Sequence, residues 1–393
     1  MSAVVIRPRL LRGAVTPPPS KSMAHRCLIA AALAEQESQI TNLADSQDMI
    51  ATRGCLAALK KAGEGFPLLD CGESGSTLRF LIPVALALRG GGRFIGRGRL
   101  MERPQKPYFD LFDEKGISYG QKDGVLTIEG TLTAGEYRLA GNVSSQFITG
   151  LLYALPLLEG NSEIILTTPL ESKGYVDMTL EVLEQFGIRV ENQNYARFVI
   201  PGSQKYQARD MNVEADWSQA AFWYGAIALG SELEVEGLNP KSTQGDMVIV
   251  SQFLRLTQPG DVELDVSQCP DLVPPLAVMA AVRSGTTRIV NAARLRIKES
   301  DRLATVTATL NALGAQVEEH PDRLTICGLD RLNGGVTVDC CSDHRIAMMA
   351  AIAATRCAQP ITLLGAECVN KSYPNFWEHY RMLGGDIDVL VSG

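Results

Sequence analysis

Apolar runs of about 12 to 15 residues recur along this chain, each opened by small polar or charged residues and followed by a short strand-like piece. The openings lie near Ser20, Glu73, Val143, Ala215, Cys269 and Ser342. Runs of this length are too short to span a bilayer and are typical of buried helices. Because the openings lie roughly 50 to 75 residues apart, the pattern predicts a repeated supersecondary unit.

Each repeat also contains a second, amphipathic helix and one or more strands. The predicted second helices are Asp48–Ala62 with a glycine cap at Gly63, Pro107–Lys115, Tyr175–Phe186, Gln244–Leu256, Ser300–Leu313 and Asn375–Leu383. Strands are predicted at residues 4–12 and within residues 117–139. Since three repeats precede residue 213 and three follow it, we predict an α/β protein of two similar domains. The first domain combines residues 1–18 with 214–393, and the second spans residues 19–213.

The residues that open the runs indicate anion binding. Ser and Asp stand at several of these positions, and both types cap helix N-termini. A helix start exposes unpaired N–H groups and a partial positive charge. Six such starts facing one cleft would therefore attract a multiply charged small anion. The alternative is an ordinary α/β repeat whose helix starts face water.

The composition restricts the remaining classes of function. The chain has 393 residues, 46% hydrophobic and 21% charged, as expected for a globular protein with a sizeable core. Its net charge of −7 argues against a general nucleic-acid or acidic-membrane surface. Separately, we expect the protein to be a monomer. Nine cysteines without a C-x-x-C pair, and no secretory or transit pattern, suggest a cytoplasmic protein with reduced thiols. The four histidines lie far apart in sequence, so we expect no structural metal.

Cations and hydroxyls concentrate at the first helix start. Lys21, Ser22 and Arg26 provide two cations and a hydroxyl, which suit a phosphate. Ser22 and Arg26 are four residues apart and share a helix face. The alternative is a solvated N-terminal turn.

Two later segments add polar groups that could face a ligand. Gly75 lies in a run of Gly, Ser and Thr that allows close backbone approach, although such runs also form ordinary loops. Arg103 precedes Pro104, and its restricted backbone suits a clamp on a carboxylate. The helix start Ser144–Gln146 carries more hydrogen-bonding side chains than a cap requires.

The segment from Lys298 to Arg302 is the richest in charge. On a helix, Lys298 and Glu299 would share a face with Arg302, because they precede it by four and three residues. A surface helix with ion pairs is the alternative. Asp271 stands at the opening of the fifth repeat, where a carboxylate beside Glu299 would be a candidate general base among cations. Further charged or titratable groups follow at Asp343, His344, Arg345 and Lys371.

Together these motifs resemble the enolpyruvyl transferases, and within that family the branch that acts on shikimate 3-phosphate. In family order the motifs are SKSMAHR, GESGSTLR, ERPQKP, VSSQF, ESKGY, CPD, RIKESDRL, SDHR and NKSYP. The resemblance covers essentially the whole chain. It implies two domains, each of three βαβαββ repeats in an inside-out α/β barrel, with the active site in the interdomain cleft.

The resemblance also implies an activity, a step of the shikimate pathway to aromatic amino acids. The enolpyruvyl group of phosphoenolpyruvate would pass to the 5-hydroxyl of shikimate 3-phosphate through a tetrahedral intermediate, with release of phosphate and without a metal or organic cofactor. By motif, the ligands of shikimate 3-phosphate would be Lys21, Ser22, Arg26, Ser144, Ser145, Gln146, Ser172, Tyr175, Asp271 and Lys298. Those of phosphoenolpyruvate would be Lys21, Gly75, Arg103, Gln146, Arg302, Arg345 and Lys371. Asp271 would take the hydroxyl proton, and Glu299 or Lys21 would serve proton transfer at the methylene carbon.

Some positions depart from the usual family pattern. Arg294 stands where many relatives have Asn, and Glu73 and Ser74 replace an Asn-Ala pair frequent before Gly75. Glyphosate competes with phosphoenolpyruvate in this family, so the larger Ser74 and the charged Glu73 predict a lower glyphosate affinity.

Two other functions remain as rivals. The branch that acts on UDP-N-acetylglucosamine usually carries a cysteine in the loop of the second repeat, whereas here no cysteine lies between Cys71 and Cys269. A non-enzymatic repeat scaffold for an anionic partner would not need Asp271 and Glu299 among the cations.

Overall fold

The computed structural model describes residues 2–61, 63 and 65–391. The chain divides into two compact units. The split unit comprises Met1–Pro18 and Glu214–Gly393, and the continuous unit comprises Pro19–Val213. Each unit has its own hydrophobic core.

Helices and short strands alternate along the described chain. The α-helices are α1 Lys21–Leu33, α2 Gln47–Lys60, α3 Gly75–Arg89, α4 Lys106–Lys115, α5 Ser145–Ala154, α6 Lys173–Gln185, α7 Trp217–Ala228, α8 Ile249–Leu256, α9 Val273–Ala281, α10 Arg302–Ala312, α11 His344–Ala354 and α12 Phe376–Met382. The strands are β1 Ser2–Arg7, β2 Arg12–Val15, β3 Ile40–Thr41, β4 Leu68–Asp70, β5 Gly91–Ile95, β6 Ser118–Lys122, β7 Val125–Glu129, β8 Glu136–Leu139, β9 Ser162–Leu166, β10 Glu191–Gln193, β11 Arg197–Ile200, β12 Met211–Asn212, β13 Glu232–Val235, β14 Val262–Asp265, β15 Thr286–Val290, β16 Gln316–Glu319, β17 Leu324–Cys327, β18 Thr337–Asp339, β19 Ile361–Leu364 and β20 Asp386–Val391.

The continuous unit contains two four-stranded sheets and one strand pair. The sheets have the orders β4-β5-β7-β6 and β10-β11-β9-β8, and β3 pairs with β12. In each sheet the first two strands of the repeat run parallel, β4 with β5 and β8 with β9, and the remaining pairs are antiparallel. Parallel neighbours need a crossover, which α3 and α5 provide.

The split unit repeats this arrangement. Its sheets have the orders β14-β15-β17-β16 and β18-β19-β1-β20, and β2 pairs with β13. Strand β1, from the start of the chain, completes the last sheet by pairing with β19 and β20. This pairing explains why the first residues belong to the same unit as the C-terminal half.

The repeat order confirms the predicted fold class. The order β-α-β-α-β-β occurs as β4-α3-β5-α4-β6-β7, as β8-α5-β9-α6-β10-β11 and as β14-α9-β15-α10-β16-β17. In the last repeat β1 takes the place of the final strand. The repeats that contain α1 and α7 have only a strand pair instead of a four-stranded sheet.

The first helix of each repeat lies deep in its unit, as its apolar sequence predicts. Every residue of α9 and of α11 is buried. Five of these helices are capped by a Ser or Asp side chain, namely Ser20, Ser74, Ser144, Asp216 and Asp343. Helix α9 differs, because no side chain caps it and a 3-10 turn, Pro270–Leu272, leads into it.

Several predicted boundaries differ from the structure. The run 4–12 is two strands in different sheets, since β1 ends at Arg7 and β2 begins at Arg12. Helix α2 ends at Lys60 with an extended Lys61, so Gly63 is not its cap. Predicted residue Ala62 lies outside the described residues, as do residues 1 and 392–393 of the predicted first domain.

The cysteines are all free thiols. Within the described ranges, no helix is long and apolar enough to cross a membrane.

Candidate active site

Lys21 lies at the start of α1, directly after the capping residue Ser20. Its Nζ donates to Asp48 Oδ2 at 2.8 Å, and the two side chains are only 17% and 11% exposed. Asp48 belongs to the first turn of α2. The ion pair therefore fixes the ammonium group at the junction of two helix starts.

Arg26 is buried and connects α1 to α6. Its guanidinium donates to Thr179 Oγ1 at 2.9 Å and to the backbone oxygens of Ser22 and Tyr175 at 2.6 and 2.7 Å. Burial lowers the pKa of Arg26, although the guanidinium also stacks on Phe80, with 5.2 Å to the ring centroid. Arg26 thus holds the backbone of two predicted ligand residues, Ser22 and Tyr175.

Arg103 lies against Gly75, the first residue of α3. A Cβ on Gly75 would lie 2.7 Å from Arg103 Nη1, closer than van der Waals contact allows. Arg103 is 8% exposed, and its guanidinium makes no hydrogen bond or ion pair with the residues the structure describes, Nε being buried without an acceptor. Because a buried cation without a counter-charge is costly, this guanidinium is suited to an anionic ligand.

The predicted serine-rich start of α5 is joined to α3 through Gln146. Gln146 Nε2 donates to Ser76 Oγ at 3.0 Å, and Gln146 Oε1 accepts from Arg79 Nη1 at 2.8 Å. Ser144 caps the helix by accepting from the Gln146 amide, and Ser145 is buried beside it. Arg79 also donates to the backbone oxygen of Pro104 at 3.0 Å, so it holds the segment that follows Arg103.

Ser172 precedes α6 in a left-handed backbone conformation, with φ 59° and ψ 47°. This conformation is uncommon for residues other than glycine and often marks a functional position. Ser172 is 2% exposed and its side chain makes no capping hydrogen bond to the helix. Tyr175 follows in the first turn of α6, with its ring 6.0 Å from the Arg26 guanidinium carbon.

Asp271 in the split unit contacts three cations. Its Oδ1 accepts from Arg302 Nη1 at 2.9 Å and from Lys298 Nζ at 3.3 Å, and its Oδ2 accepts from Arg345 Nη2 at 3.2 Å. The pKa of Lys298 is lowered, chiefly by burial, although Asp271 opposes that shift. Opposite charges this close favour the ionised carboxylate, as a general base requires.

Arg302 is the centre of the same cluster and is 1% exposed. It donates to Glu299 Oε2 at 2.6 Å and to Asp343 Oδ2 at 2.8 Å, in addition to Asp271. Burial lowers the pKa of Arg302, but the charges of Asp343, Glu299 and Asp271 outweigh burial and raise it overall. A surface ion-pair helix is therefore excluded for this segment.

Arg345, on α11, joins this cluster through Asp271, and Lys371 ends the 3-10 turn Ala366–Lys371. Arg345 also donates to Ser218 Oγ at 3.0 Å and to the backbone oxygen of Asp271 at 3.1 Å. Lys371 is 5% exposed, and its Nζ donates to the backbone oxygen of Ser342 at 2.5 Å.

One sequence argument for this cluster is wrong. Helix α10 begins at Arg302, so Lys298 and Glu299 precede it and do not share its face. Lys298 instead ends the 3-10 turn Ala293–Ile297 with extended backbone. The side chains nevertheless converge, because Glu299 and Arg302 form an ion pair and Lys298 reaches Asp271.

Sequence analysis missed the partners that hold these side chains. Asp48 and Ser218 belong to ordinary helical segments and lie in none of the motifs. Arg79 ends the GESGSTLR motif, but its contacts with Gln146 and Pro104 join positions 67 and 25 residues apart. Asp343 was visible in the SDHR motif, but its contact with Arg302 joins positions 41 residues apart. A short polar residue before an apolar run predicts a cap, and Asp343 is also the cap of α11.

The α/β repeat fold, with buried cations in the continuous unit and carboxylates among cations in the split unit, is the combination expected of an enolpyruvyl transferase. The family model for EPSP synthase (3-phosphoshikimate 1-carboxyvinyltransferase) matches residues 6–380. The chain belongs to this family.

Similar proteins of known name agree with this assignment. A 3-phosphoshikimate 1-carboxyvinyltransferase of Clostridium beijerinckii is 46% identical over 429 residues, covering 99% of each chain. Proteins of the same name from Clostridium kluyveri and Clostridioides difficile are 47% and 46% identical, again covering 99% of each chain.

Solved structures support the fold. EPSP synthase from Acinetobacter baumannii matches with a TM-score of 0.80 at 24% identity, covering 100% of both chains. An enolpyruvyl transferase of Streptomyces tendae matches with a TM-score of 0.77 at 18% identity, covering 100% of this chain and 99% of its own. At these identities the likeness concerns the fold alone.

Proposed function

We propose that this protein transfers the enolpyruvyl group of phosphoenolpyruvate to the 5-hydroxyl of shikimate 3-phosphate and releases phosphate. Membership of the EPSP synthase family supports this activity. The observation that carries the residue assignment is Asp271, a carboxylate held by Lys298, Arg302 and Arg345. A base surrounded by cations suits a reaction between two polyanionic substrates.

In the addition step, Asp271 takes the proton of the 5-hydroxyl as that oxygen bonds to C2 of phosphoenolpyruvate. The C2–C3 electron pair takes a proton at C3, which becomes a methyl group. Glu299 and Lys21 are the two candidates for this donor. In the elimination step the same group, Glu299 or Lys21, takes a proton back from the methyl group, the C2–C3 double bond re-forms, and the C2–O bond to phosphate breaks as phosphate leaves with that electron pair.

Phosphoenolpyruvate is proposed to bind to Lys21, Gly75, Arg103, Gln146, Arg302, Arg345 and Lys371. The strongest support comes from Arg103, a buried cation whose guanidinium has no counter-charge in the described part of the chain. Lys21 and Arg345 add charge at helix starts, where anions are favoured.

Shikimate 3-phosphate is proposed to bind to Lys21, Ser22, Arg26, Ser144, Ser145, Gln146, Ser172, Tyr175, Asp271 and Lys298. The left-handed backbone conformation of Ser172 supports this assignment, because a strained backbone presents a side chain at a defined place. Arg26 donates to three protein oxygens. Arg26 would thus also act by fixing Ser22 and Tyr175.

Phosphate release tests the proposal. The purified protein is incubated with phosphoenolpyruvate and either shikimate 3-phosphate or UDP-N-acetylglucosamine. We expect phosphate only with shikimate 3-phosphate. Release with the nucleotide sugar instead would assign the protein to the other branch, and release with neither would contradict the proposal.

A further inference from the structure

Four buried polar side chains connect α1, α2 and the start of α3. His25 Nδ1 lies 2.8 Å from Thr52 Oγ1, and Thr52 Oγ1 lies 2.7 Å from Thr77 Oγ1. Thr77 Oγ1 donates to Ser74 Oγ at 2.8 Å. None of the four residues is more than 1% exposed. Polar groups this deep are retained at a cost, so the network calls for an explanation.

The network lies one helical turn from the Lys21–Asp48 ion pair. His25 follows Lys21 by four residues on α1, and Thr52 follows Asp48 by four residues on α2. Residues four apart lie on the same helix face. The two helices are therefore joined by two successive links, the ion pair at 2.8 Å and the His25–Thr52 hydrogen bond at 2.8 Å.

The other end of the network reaches the residue next to Gly75. Ser74 caps α3 by accepting from the Thr77 amide at 3.2 Å, and the Thr77 hydroxyl bonds to the same oxygen. Gly75 follows directly and contacts the Arg103 guanidinium. The chain of hydrogen bonds thus spans from the helix of Lys21 to the backbone on which Arg103 lies.

The hydrogen positions follow from counting donors. Each hydroxyl has one proton, and the Thr77 proton goes to Ser74 Oγ. The Thr52 hydroxyl has two acceptors in reach, and we assign its proton to Thr77 at 2.7 Å because the Asp48 backbone oxygen is farther away at 3.1 Å. With that assignment His25 donates to Thr52 from Nδ1. Burial, followed by the charges of Lys21 and Arg26, lowers the pKa of His25 well below its usual value, so the ring carries a single proton.

We propose that Thr52 is a positioning residue for phosphoenolpyruvate binding, because its hydroxyl links the helix of Lys21 to the helix start at Gly75. The inference rests on the proposed function. Without this hydroxyl, α1, α2 and α3 remain packed but the placement of Lys21 and Arg103 relative to each other is loosened. Small displacements of binding groups weaken anion binding strongly.

Substitutions at Thr52 separate the hydroxyl from packing. Thr52→Val keeps the shape and removes the hydroxyl, whereas Thr52→Ser keeps the hydroxyl and removes a methyl group. We expect Thr52→Val to raise KM for phosphoenolpyruvate roughly tenfold and KM for shikimate 3-phosphate by less, because Lys21 is shared by both proposed sites whereas Gly75 and Arg103 belong to the phosphoenolpyruvate site alone. Thr52→Ser should keep the KM for phosphoenolpyruvate of the unmodified protein, although the loss of the methyl group lowers Tm.

Thr149→Val is the matched control. Thr149 is also fully buried and also pairs with a second threonine, Thr179, at 3.0 Å, but between α5 and α6. The KM of the Thr149→Val variant for phosphoenolpyruvate should equal that of the unmodified protein. Equal KM increases in Thr52→Val and Thr149→Val, or no increase in Thr52→Val, would overturn the proposal.

A measurement on the unmodified protein does not depend on the folding of a variant. Imidazole ¹H–¹⁵N correlation spectra report which nitrogen of His25 carries the proton. We expect the proton on Nδ1, and a proton on Nε2 would overturn the network as described. Absence of turnover in the unmodified protein would instead refute the proposed function, and it leaves the His25 spectrum as a separate result.

Discussion

Gly75→Ala places a methyl group where the Arg103 guanidinium lies. The new Cβ would be 2.7 Å from Nη1, 3.1 Å from Cζ and 3.2 Å from Nη2 of Arg103. Ordinary contact needs about 3.5 Å or more, so the guanidinium must retreat by about 1 Å. Nothing but this flexible side-chain end stands within 3.2 Å, so the backbone need not move.

The expected effect is on binding rather than on stability. A charge-assisted hydrogen bond contributes about 1.5–3 kcal/mol, and its loss corresponds to roughly a 10- to 150-fold rise in KM. The helix start tolerates alanine, since Gly75 does not have a left-handed backbone. Alanine can adopt this backbone conformation without strain, and it lowers the conformational entropy of the unfolded chain. Tm should therefore be unchanged or slightly higher.

Steady-state kinetics and a thermal melt test this prediction. KM for phosphoenolpyruvate and the inhibition constant for glyphosate should both rise in Gly75→Ala. In an Arg103→Gln background the same change should add little, because the displaced group is already absent. Gly54→Ala, in α2 with nothing within 4 Å of the new Cβ, is the matched control and should leave KM unchanged. An unchanged KM in Gly75→Ala, or an increase that persists without Arg103, would refute the reasoning.

Four further predictions follow from the clusters and the pKa shifts. Lys21→Ala should abolish turnover in a protein that still folds, because it removes a cation worth about 1.5–3 kcal/mol in binding alone; near-normal kcat/KM would contradict this. Arg302→Met should lower the free energy of unfolding in urea by about 3–5 kcal/mol, because it leaves the Asp343 carboxylate, at 0% exposure, without its ion-pair partner; adding Asp343→Asn should recover part of the loss. In the folded protein the pKa of His25 lies below its usual 6.5, so as the pH falls the unfolded chain takes up the His25 proton before the folded protein does. The free energy of unfolding should therefore decrease below about pH 6.5, by up to about 1.4 kcal/mol per pH unit. This part of the pH dependence should be absent in His25→Gln. EDTA should leave the rate of phosphate release unchanged, and a loss restored by a divalent cation would contradict a cofactor-independent reaction.

The repeat architecture could be predicted because each repeat has its own local pattern of apolar and polar residues. Six apolar runs at regular spacing, each with polar residues at its start, indicate buried helices, and α9 and α11 are buried throughout. The break between β1 and β2 could not be predicted in this way. The run 4–12 is continuous in sequence, and the partner strands that separate it, β19 and β13, lie more than 200 residues away.

The charged residues of the site could be predicted, but their partners could not. Arg302 and Asp271 stood out by type and motif, whereas Asp48, Arg79 and Asp343 matter through contacts across the fold. Helical spacing was the wrong reason for grouping Lys298 with Arg302, because the backbone is extended at Lys298. Such contacts depend on tertiary packing, which a single sequence does not display.

The predicted effect of Ser74 on glyphosate binding has no structural support. The Ser74 hydroxyl accepts from the Thr77 amide and hydroxyl and is 1% exposed, so it is engaged with its own helix. Glu73 instead lies against Gly98, where an added Cβ would be 2.7 Å from its carboxylate oxygen. Ser74→Ala should therefore lower Tm, because loss of the cap reduces the free energy of unfolding by about 0.5–2 kcal/mol. The inhibition constant for glyphosate should change little.

A ³¹P NMR time course of the complete reaction tests the central claim most directly. Phosphoenolpyruvate and shikimate 3-phosphate are mixed with the protein, and each substrate is also incubated alone. The account predicts that both substrate signals fall together, while inorganic phosphate and one new phosphorylated product rise in equal amounts, and that neither substrate changes alone. Phosphate released from phosphoenolpyruvate without loss of shikimate 3-phosphate, or no change in the complete mixture, would contradict enolpyruvyl transfer by this protein.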